Sequence, residues 1–191
     1  MAKILVLDNY DSFTYNLVHY LREVPGHETE VYRNDQIPLD QVDAYHGVVL
    51  SPGPGIPSEA GNLLALIDRY KDTKRIFGVC LGLQAIAEAF GGKLENISEV
   101  FHGLATPIEL CGGRHYLFDG LESGFMGGRY HSWVAERASL PGVLRIDAED
   151  RQGQIMALSH RQLDICGVQF HPESILTPDG KTIIHNWMKQ F

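Results

Sequence analysis

Apolar positions along this chain follow two periods, and the change between them divides it. Residues 3–7, KILVL, are a continuous apolar run ending at Asp8, the pattern of a strand buried on both faces. After the polar loop DNYDS, residues Phe13, Leu17, Val18, Tyr20 and Leu21 recur at helical spacing. Asp11 or Ser12 is placed to cap that helix, and Pro25-Gly26 to end it near Val24. TEVYR (29–33) alternates as a second strand, and GVVLS (47–51) reads as a third. The loop PGPGIPS leads to a helix over about 59–70. RIFGV (75–79) predicts a fourth strand and LGLQAIAEAF (81–90) a helix closed by Gly91-Gly92. Strand–helix alternation through residue 90 predicts an α/β fold, with a doubly wound, mainly parallel central sheet and flanking helices.

From about 93 to 170 the helical period fades. LATPIEL, GGRYHSWVAE, VLRIDAE, QIMALSH and LDICGVQF are short β-like runs separated by Gly and polar turns. They predict an additional, smaller and partly antiparallel sheet continuing the core. Ile183, Ile184, Trp187 and Met188 return to helical spacing, so the tail should pack back as a helix. No repeat, low-complexity stretch or linker interrupts the 191 residues, and a single domain spanning 1–191 is expected.

Composition narrows the function classes. Hydrophobic residues make up 44% and charged residues 21%, the balance of a globular chain. The net charge of −8, without a Lys/Arg stripe, argues against nucleic acid as the partner. No apolar run is long enough to span a bilayer, and MAKILVLDNYDSF does not read as a signal peptide. Three widely spaced cysteines (Cys80, Cys111, Cys166) suggest neither a disulfide framework nor a metal site, and a cytoplasmic location is expected.

One cysteine stands at a corner. GVCLG (78–82) puts Cys80 between a strand and a helix, at the carboxyl edge where open α/β sheets bind ligands. The arrangement resembles the strand–turn–helix elbow of GxSxG hydrolases, where flanking glycines permit the sharp turn. A helix N-terminus favours thiolate over thiol, and the Leu81 N–H in the first turn is placed to meet an oxyanion. A small buried structural cysteine satisfies an isolated GxCxG equally well. Cys166, alternating with apolar neighbours, reads as core, and nothing is assigned to Cys111.

A thiol nucleophile needs a base, and the base an orienting group. His19, His27, His46, His102, His115, His160 and His185 have no carboxylate placed to orient them, and read as surface or structural histidines. His171 ends an apolar run and opens HPES. Pro172 biases it toward extended geometry, which would set His171 and Glu173 on one side. A Pro-containing turn with an exposed Glu is the plainer alternative. In SPGPG (51–55) the prolines lack N–H, so Gly53 and Gly55 hold the amides able to reach a substrate oxygen, in what is otherwise an ordinary strand-to-helix turn. Gln84 lies one helical turn after Cys80 on the same face, as a site polar group or a solvated one.

With these residues together the chain resembles the class I, triad-type glutamine amidotransferases. It is most similar to the glutaminase subunits (component II) of anthranilate synthase and aminodeoxychorismate synthase. The segments that carry the resemblance are DNYDSFTYNL (8–17), YRND (32–35), VLSPGPGIPSEAG (49–61), GVCLGLQAIAEAFGG (78–92), HG (102–103), GRYHS (128–132) and GVQFHPESILTPDG (167–180). The resemblance implies a flavodoxin-like core forming one glutaminase domain. It also implies catalytic Cys80, His171 and Glu173, with an oxyanion hole from the amides of Leu81 and Gly53. Glutamine contacts are implied at Gly53, Pro54, Gly55, Gln84, Ser132 and Trp133. Trp133 departs from the Leu usual in the family, and the stretches 108–118 and 161–170 look short. The expected ligand is L-glutamine, and the expected partner a separate chorismate-using synthase subunit (component I) in a hetero-oligomer. No metal or cofactor is expected in this chain, Mg²⁺ belonging to the partner. The DNYDSF loop is expected either to shape the partner-facing rim or simply to cap its helix. A stand-alone cysteine hydrolase of the same fold is the rival enzyme, and a binding module with a degenerate site the non-enzymatic alternative.

Overall fold

A computed structural model describes residues 1–97, 101–113 and 115–191. Five parallel strands form its spine: β1 (Ala2–Asp8), β2 (His27–Arg33), β3 (Gly47–Leu50), β4 (Arg75–Val79) and, far along the chain, β11 (Ile165–Val168). Between β4 and β11 the chain adds β5 (Leu94–Asn96), β6 (Leu104–Leu110), β7 (Phe125–Arg129), β8 (Trp133–Ala135), β9 (Leu144–Glu149) and β10 (Ile155–His160). The large sheet runs β2-β1-β3-β4-β11-β10-β9-β6-β7, its last four strands joined antiparallel, while β5 and β8 form a separate antiparallel pair.

Four helices cover the spine: α1 (Thr14–Arg22), α2 (Leu63–Tyr70), α3 (Leu81–Ala89) and α4 (Gly180–Met188). Along β1 the side chains alternate between two dry layers. Ile4 and Val6 join Leu17, Leu21, Ile183 and Trp187 of α1 and α4, whereas Leu5 and Leu7 join Leu66, Ile67 and Ile86 of α2 and α3. Burial on both faces is why the strand reads as an unbroken apolar run rather than an alternating one.

Four local expectations need correction. GGRYHSWVAE is not one strand: it breaks after Arg129, ending β7 in the large sheet and starting β8 in the small one. LDICGVQF belongs to the parallel spine beside β4, not to the antiparallel extension. The second helix starts at Leu63, after a short 3-10 turn at Pro57–Glu59 whose first residue is proline. Neither Asp11 nor Ser12 is the N-cap of α1: Phe13 holds that position, while the Asp11 carboxylate accepts the Phe13 N–H at 2.8 Å in an Asx turn. β5, three residues long, carried no usable pattern.

Register places the site. Leu7 lies beside Leu50, Leu50 beside Gly78, and Val79 beside Val168, so β1, β3, β4 and β11 end at one edge. The loops leaving that edge begin at Asn9, Ser51, Cys80 and Gln169. At the third of these, α3 is pressed onto the sheet. A Cβ at Gly82 would stand 2.5 Å from the Leu50 carbonyl oxygen, and one at Gly78 would stand 2.5 Å from the Gly82 carbonyl carbon. Both obstacles are backbone and have no side-chain freedom to give. Gly82→Ala is therefore expected to destabilise the fold by about 1–3 kcal/mol, the usual range for overpacking, measured as a lower urea midpoint with unchanged slope.

Candidate active site

Cys80 occupies the elbow between β4 and α3 with φ 52° and ψ −101°, a left-handed backbone unusual for a residue with a side chain. Such strain costs on the order of 1–3 kcal/mol and survives only where neighbours enforce it. They do here: the Cys80 N–H donates to the Val168 carbonyl of β11 at 2.8 Å, and its carbonyl accepts the Gln84 N–H of α3 at 3.1 Å. The thiol is thereby held at the mouth of a cavity of about 210 Å³ lined by Gly53, Pro54, Gly55, Gln84, Tyr130, His131, Ser132 and Trp133. Every residue expected to contact glutamine lies on that wall.

His171 and Glu173 meet on the continuation of β11, at 2.7 Å between Nδ1 and Oε1, both almost completely buried. The geometry that joins them is not the extended segment expected. After Val168 the chain leaves the sheet, and residues 172–173 form a turn closed by the Ser174 N–H donating to the His171 carbonyl. Two further bonds fix the His171 backbone: its N–H donates to the Gly128 carbonyl of β7, and the Thr177 hydroxyl donates to its carbonyl at 2.6 Å. The ring is walled by Phe13 and Tyr130, whose centroids lie 5.4 and 4.9 Å away in edge-to-face contact. Burial works against a charged imidazole here. The Glu173 carboxylate and the neighbouring Cys80 sulfur outweigh it, and hold His171 well above the ordinary histidine range.

Gly53 sits where no side chain fits, since a Cβ there would meet the Asn9 carbonyl oxygen and Leu81 Cδ2 at 2.7 Å each. Its loop is clamped from β1: the Asn9 N–H donates to Ser51 Oγ and its Nδ2 to the Ser51 carbonyl, both at 2.8 Å, while Asn34 Nδ2 donates to Asn9 Oδ1. Leu81 opens α3, so its N–H is one of the first-turn amides that no helical carbonyl reaches. The DNYDSF loop thus works inward: Asn9 steadies the glycine loop, Asp8 Oδ1 accepts from the Thr14 hydroxyl, and Phe13 packs on His171.

Several site residues had no role assigned from the sequence. Arg129, Tyr130 and His131 fall in GRYHS and Gln169 in GVQFHPES, segments that carry the resemblance, but no spacing signal of their own says what they do, and contact alone shows it. Arg129 is buried, donating from Nη1 to Asp150 at 2.7 Å, from Nη2 to Gln154 and from Nε to His131 Nε2 at 3.1 Å. A guanidinium only donates, so His131 Nε2 accepts, and its Nδ1–H donates to the Trp133 carbonyl at 3.1 Å. That carbonyl also takes Gln84 Nε2 at 2.8 Å. Trp133 therefore serves this wall through its backbone, which explains how a residue other than Leu is tolerated.

Other hollows lack this chemistry. One of about 560 Å³ contains Cys111, His115 and Asp147. Burial and the nearby Glu149 push the Cys111 thiol up, burial pushes His115 down, and His115 Nδ1 already accepts the Leu117 N–H. Arg114, within the stretch 108–118, lies outside the described residues. Cys166 is buried in the core as expected. Among the described residues all three cysteines are free, no group of His, Cys, Asp and Glu could hold a metal ion, and no helix is long and apolar enough to cross a membrane.

Fold and cavity together define a doubly wound α/β enzyme built around an elbow thiol that shares its edge with a buried imidazole–carboxylate pair. The chain belongs to the class-I glutamine amidotransferases, whose family pattern matches residues 5–191. It is 48% identical to anthranilate synthase component 2 of Azospirillum brasilense, over 97% of this chain and 94% of that one. It is 43% identical to the aminodeoxychorismate/anthranilate synthase component 2 of Bacillus subtilis, over 98% and 96%. The bifunctional protein TrpGD of Thermotoga maritima is 44% identical over 98% of this chain, which spans only 32% of that longer protein. The crystal structure of a putative GMP synthase subunit from Thermoplasma acidophilum superposes with a TM-score of 0.87 at 29% identity, covering 99% of this chain and 93% of that one.

Burial, the Arg129 charge and the His171 charge push His131 down to about 3. A base with a depressed native pKa binds its proton only in the unfolded chain between roughly pH 6.5 and 3, so the fold loses stability as pH falls through that window. Urea unfolding of the wild type and of His131→Asn from pH 7 to pH 4 should show a steeper loss in the wild type. Parallel pH dependences would contradict the neutral assignment.

Proposed function

We propose that this chain is the glutaminase subunit of anthranilate synthase, hydrolysing L-glutamine and delivering ammonia to a chorismate-using synthase subunit. The observation that carries the chemistry is a histidine that interacts with the Cys80 sulfur while its Nδ1 is bonded to a buried carboxylate, with the cysteine lining a small cavity. At about 210 Å³ the cavity is smaller than the roughly 300–1,000 Å³ of drug-sized sites. A single amino acid suits it better than a peptide, which disfavours a peptidase of the same fold.

In this reading Cys80 Sγ attacks the side-chain amide carbon of glutamine, and the C–N bond breaks as His171 Nε2 gives its proton to the leaving ammonia. Water then attacks the γ-glutamyl thioester, His171 takes the water's proton, and glutamate leaves with the thiol restored. Glu173 keeps the imidazole in one orientation and supports its charge at each protonation. The amides of Leu81 and Gly53 hold the oxyanion, and Gln84, Ser132 and the glycine loop hold the amino acid. These thiol steps call on no metal.

The partner is a separate component I subunit, supported by relatives named component 2 over nearly their whole length. Two exposed apolar side chains are available to such a partner: Ile175, two residues beyond Glu173, is 93% exposed, and Tyr15 on the first turn of α1 is 66% exposed. The Bacillus relative is named for both aminodeoxychorismate and anthranilate synthesis, so a second partner feeding the folate precursor is the alternative.

Reconstitution with each synthase subunit tests this directly. With the correct partner, glutamine-dependent product formation should fall by roughly 10³-fold or more in Cys80→Ser, the scale for losing a nucleophile, while synthesis from added ammonia persists. Glu173→Gln should lower glutamine-dependent kcat on the scale of about 10²–10⁴-fold. Undiminished glutamine use by Cys80→Ser would refute the reading, and activity with only the aminodeoxychorismate partner would move it to the alternative.

A further inference from the structure

One buried polar contact to the sulfur is left over by the chemistry above. Gln169, the first residue beyond β11, is completely buried, and its Nε2 lies 3.5 Å from Cys80 Sγ in donor geometry. Its amide has only one consistent orientation. Gln84 Nε2 spends one N–H on the Trp133 carbonyl and the other on Gln169 Oε1, at 2.8 and 3.2 Å. Gln169 therefore accepts through Oε1 and turns its N–H group toward the thiol. The Trp133 carbonyl is fixed in turn by His131 Nδ1–H, and His131 by the buried Arg129–Asp150 pair. Donors and acceptors match along the whole chain from Asp150 to Cys80 without a conflict: the guanidinium fixes His131, and the acceptor-only Trp133 carbonyl fixes Gln84 and through it Gln169.

We infer that Gln169 is a catalytic residue for the glutaminase step, donating a hydrogen bond to the Cys80 sulfur and holding it as thiolate. The inference rests on Cys80 being the nucleophile. The Gln169 donor adds to the helix N-terminus and the His171 charge, and unlike His171 it does not leave when the proton moves. The same chain has a consequence for substrate recognition. With both N–H groups of Gln84 committed, only its carbonyl oxygen is left to make a further bond.

The titratable and charged groups around the thiol are His171, backed by Glu173, His131, backed by Arg129 and Asp150, and Tyr130 on the shared cavity wall. The glycine loop presents Gly53–Gly55 and α3 presents Gln84, none of them ionisable. The test is the pH dependence of Cys80 alkylation by iodoacetamide, with the modified site read by peptide mass. Gln169→Glu keeps the acceptor for Gln84 but replaces the donor by a carboxylate oxygen, and should raise the midpoint by about one pH unit or more. Gln169→Leu removes both and should raise it less, on the scale of a lost hydrogen bond to a charged group. Co-elution with the partner subunit and a wild-type urea midpoint report that each variant is folded and assembled. In the unmodified protein labelled with ¹⁵N-glutamine, the Gln169 side-chain amide should shift with the same midpoint as alkylation, so the test survives a variant that fails to fold. Wild-type midpoints in both folded variants, or a Gln169 amide indifferent to the thiol titration, would overturn the inference. Glutamine-dependent synthesis surviving in Cys80→Ser would instead overturn the nucleophile on which it rests.

Discussion

Burying a charge at a sheet edge constrains everything around it. An imidazolium or thiolate taken out of water costs several kcal/mol unless partners replace the lost hydration. Here the partners come from four segments remote in sequence. Glu173 pairs with His171 across a turn, the Cys80 sulfur comes from the next strand, and Phe13 and Tyr130 close the sides. The parallel register of β1, β4 and β11 brings Phe13, Cys80 and His171 to one edge, and the His171 N–H bond to Gly128 of β7 brings Tyr130 to it.

Loops at such an edge are useful only when they cannot drift. The glycine loop after β3 has two prolines to stiffen it and two side chains, Asn9 and Asn34, to tie it through Ser51 to β1 and β2. The turn after β11 is tied to β7 through Gly128 and Thr177. The elbow after β4 is forced into left-handed geometry by glycines that let α3 press on Leu50. Polar side chains that look like solvent-facing loop residues in the sequence are here structural ties, and their hydrogen bonds offset the cost of their burial.

What could be read beforehand followed from local rules. Continuous apolar runs revealed β1, β3 and β4, and the helical period revealed α1, α3 and α4, because burial on one or two faces writes itself into neighbouring residues. GVCLG was legible because a sharp turn demands glycine at fixed offsets from the nucleophile, and HPES because proline marks a break after an apolar strand. The start of α2 was misjudged because a 3-10 turn precedes it, and GGRYHSWVAE because one β-like run can serve two sheets. The wall built by Arg129 and Gln169 could not be read from spacing. Arg129 meets Asp150 21 residues away, and Gln169 meets Gln84 and Cys80 85 and 89 residues away, and no periodicity encodes such meetings. The His131 ring bonds to Arg129 and Trp133, two residues to either side, but nothing in the sequence says that this short stretch faces the site.

The same buried wall ties stability to reactivity. Glu173 Oε2 is buried with no hydrogen-bond partner among the described residues, where an unsatisfied polar atom costs about 1–3 kcal/mol, and the further polar neighbour of the His171 ring is the Cys80 sulfur. Satisfying Nε2 permanently with a fixed acceptor would stabilise the fold, but would occupy the nitrogen that must give up and regain a proton. The imidazole is instead held from its other side, by Glu173 at Nδ1 and by aromatic edges on its faces. The fixed donor in this site goes to the sulfur from Gln169, an amide whose proton does not transfer. Static bonds thus fall on groups that must stay put, and the one nitrogen that must exchange protons is left to the nucleophile's sulfur.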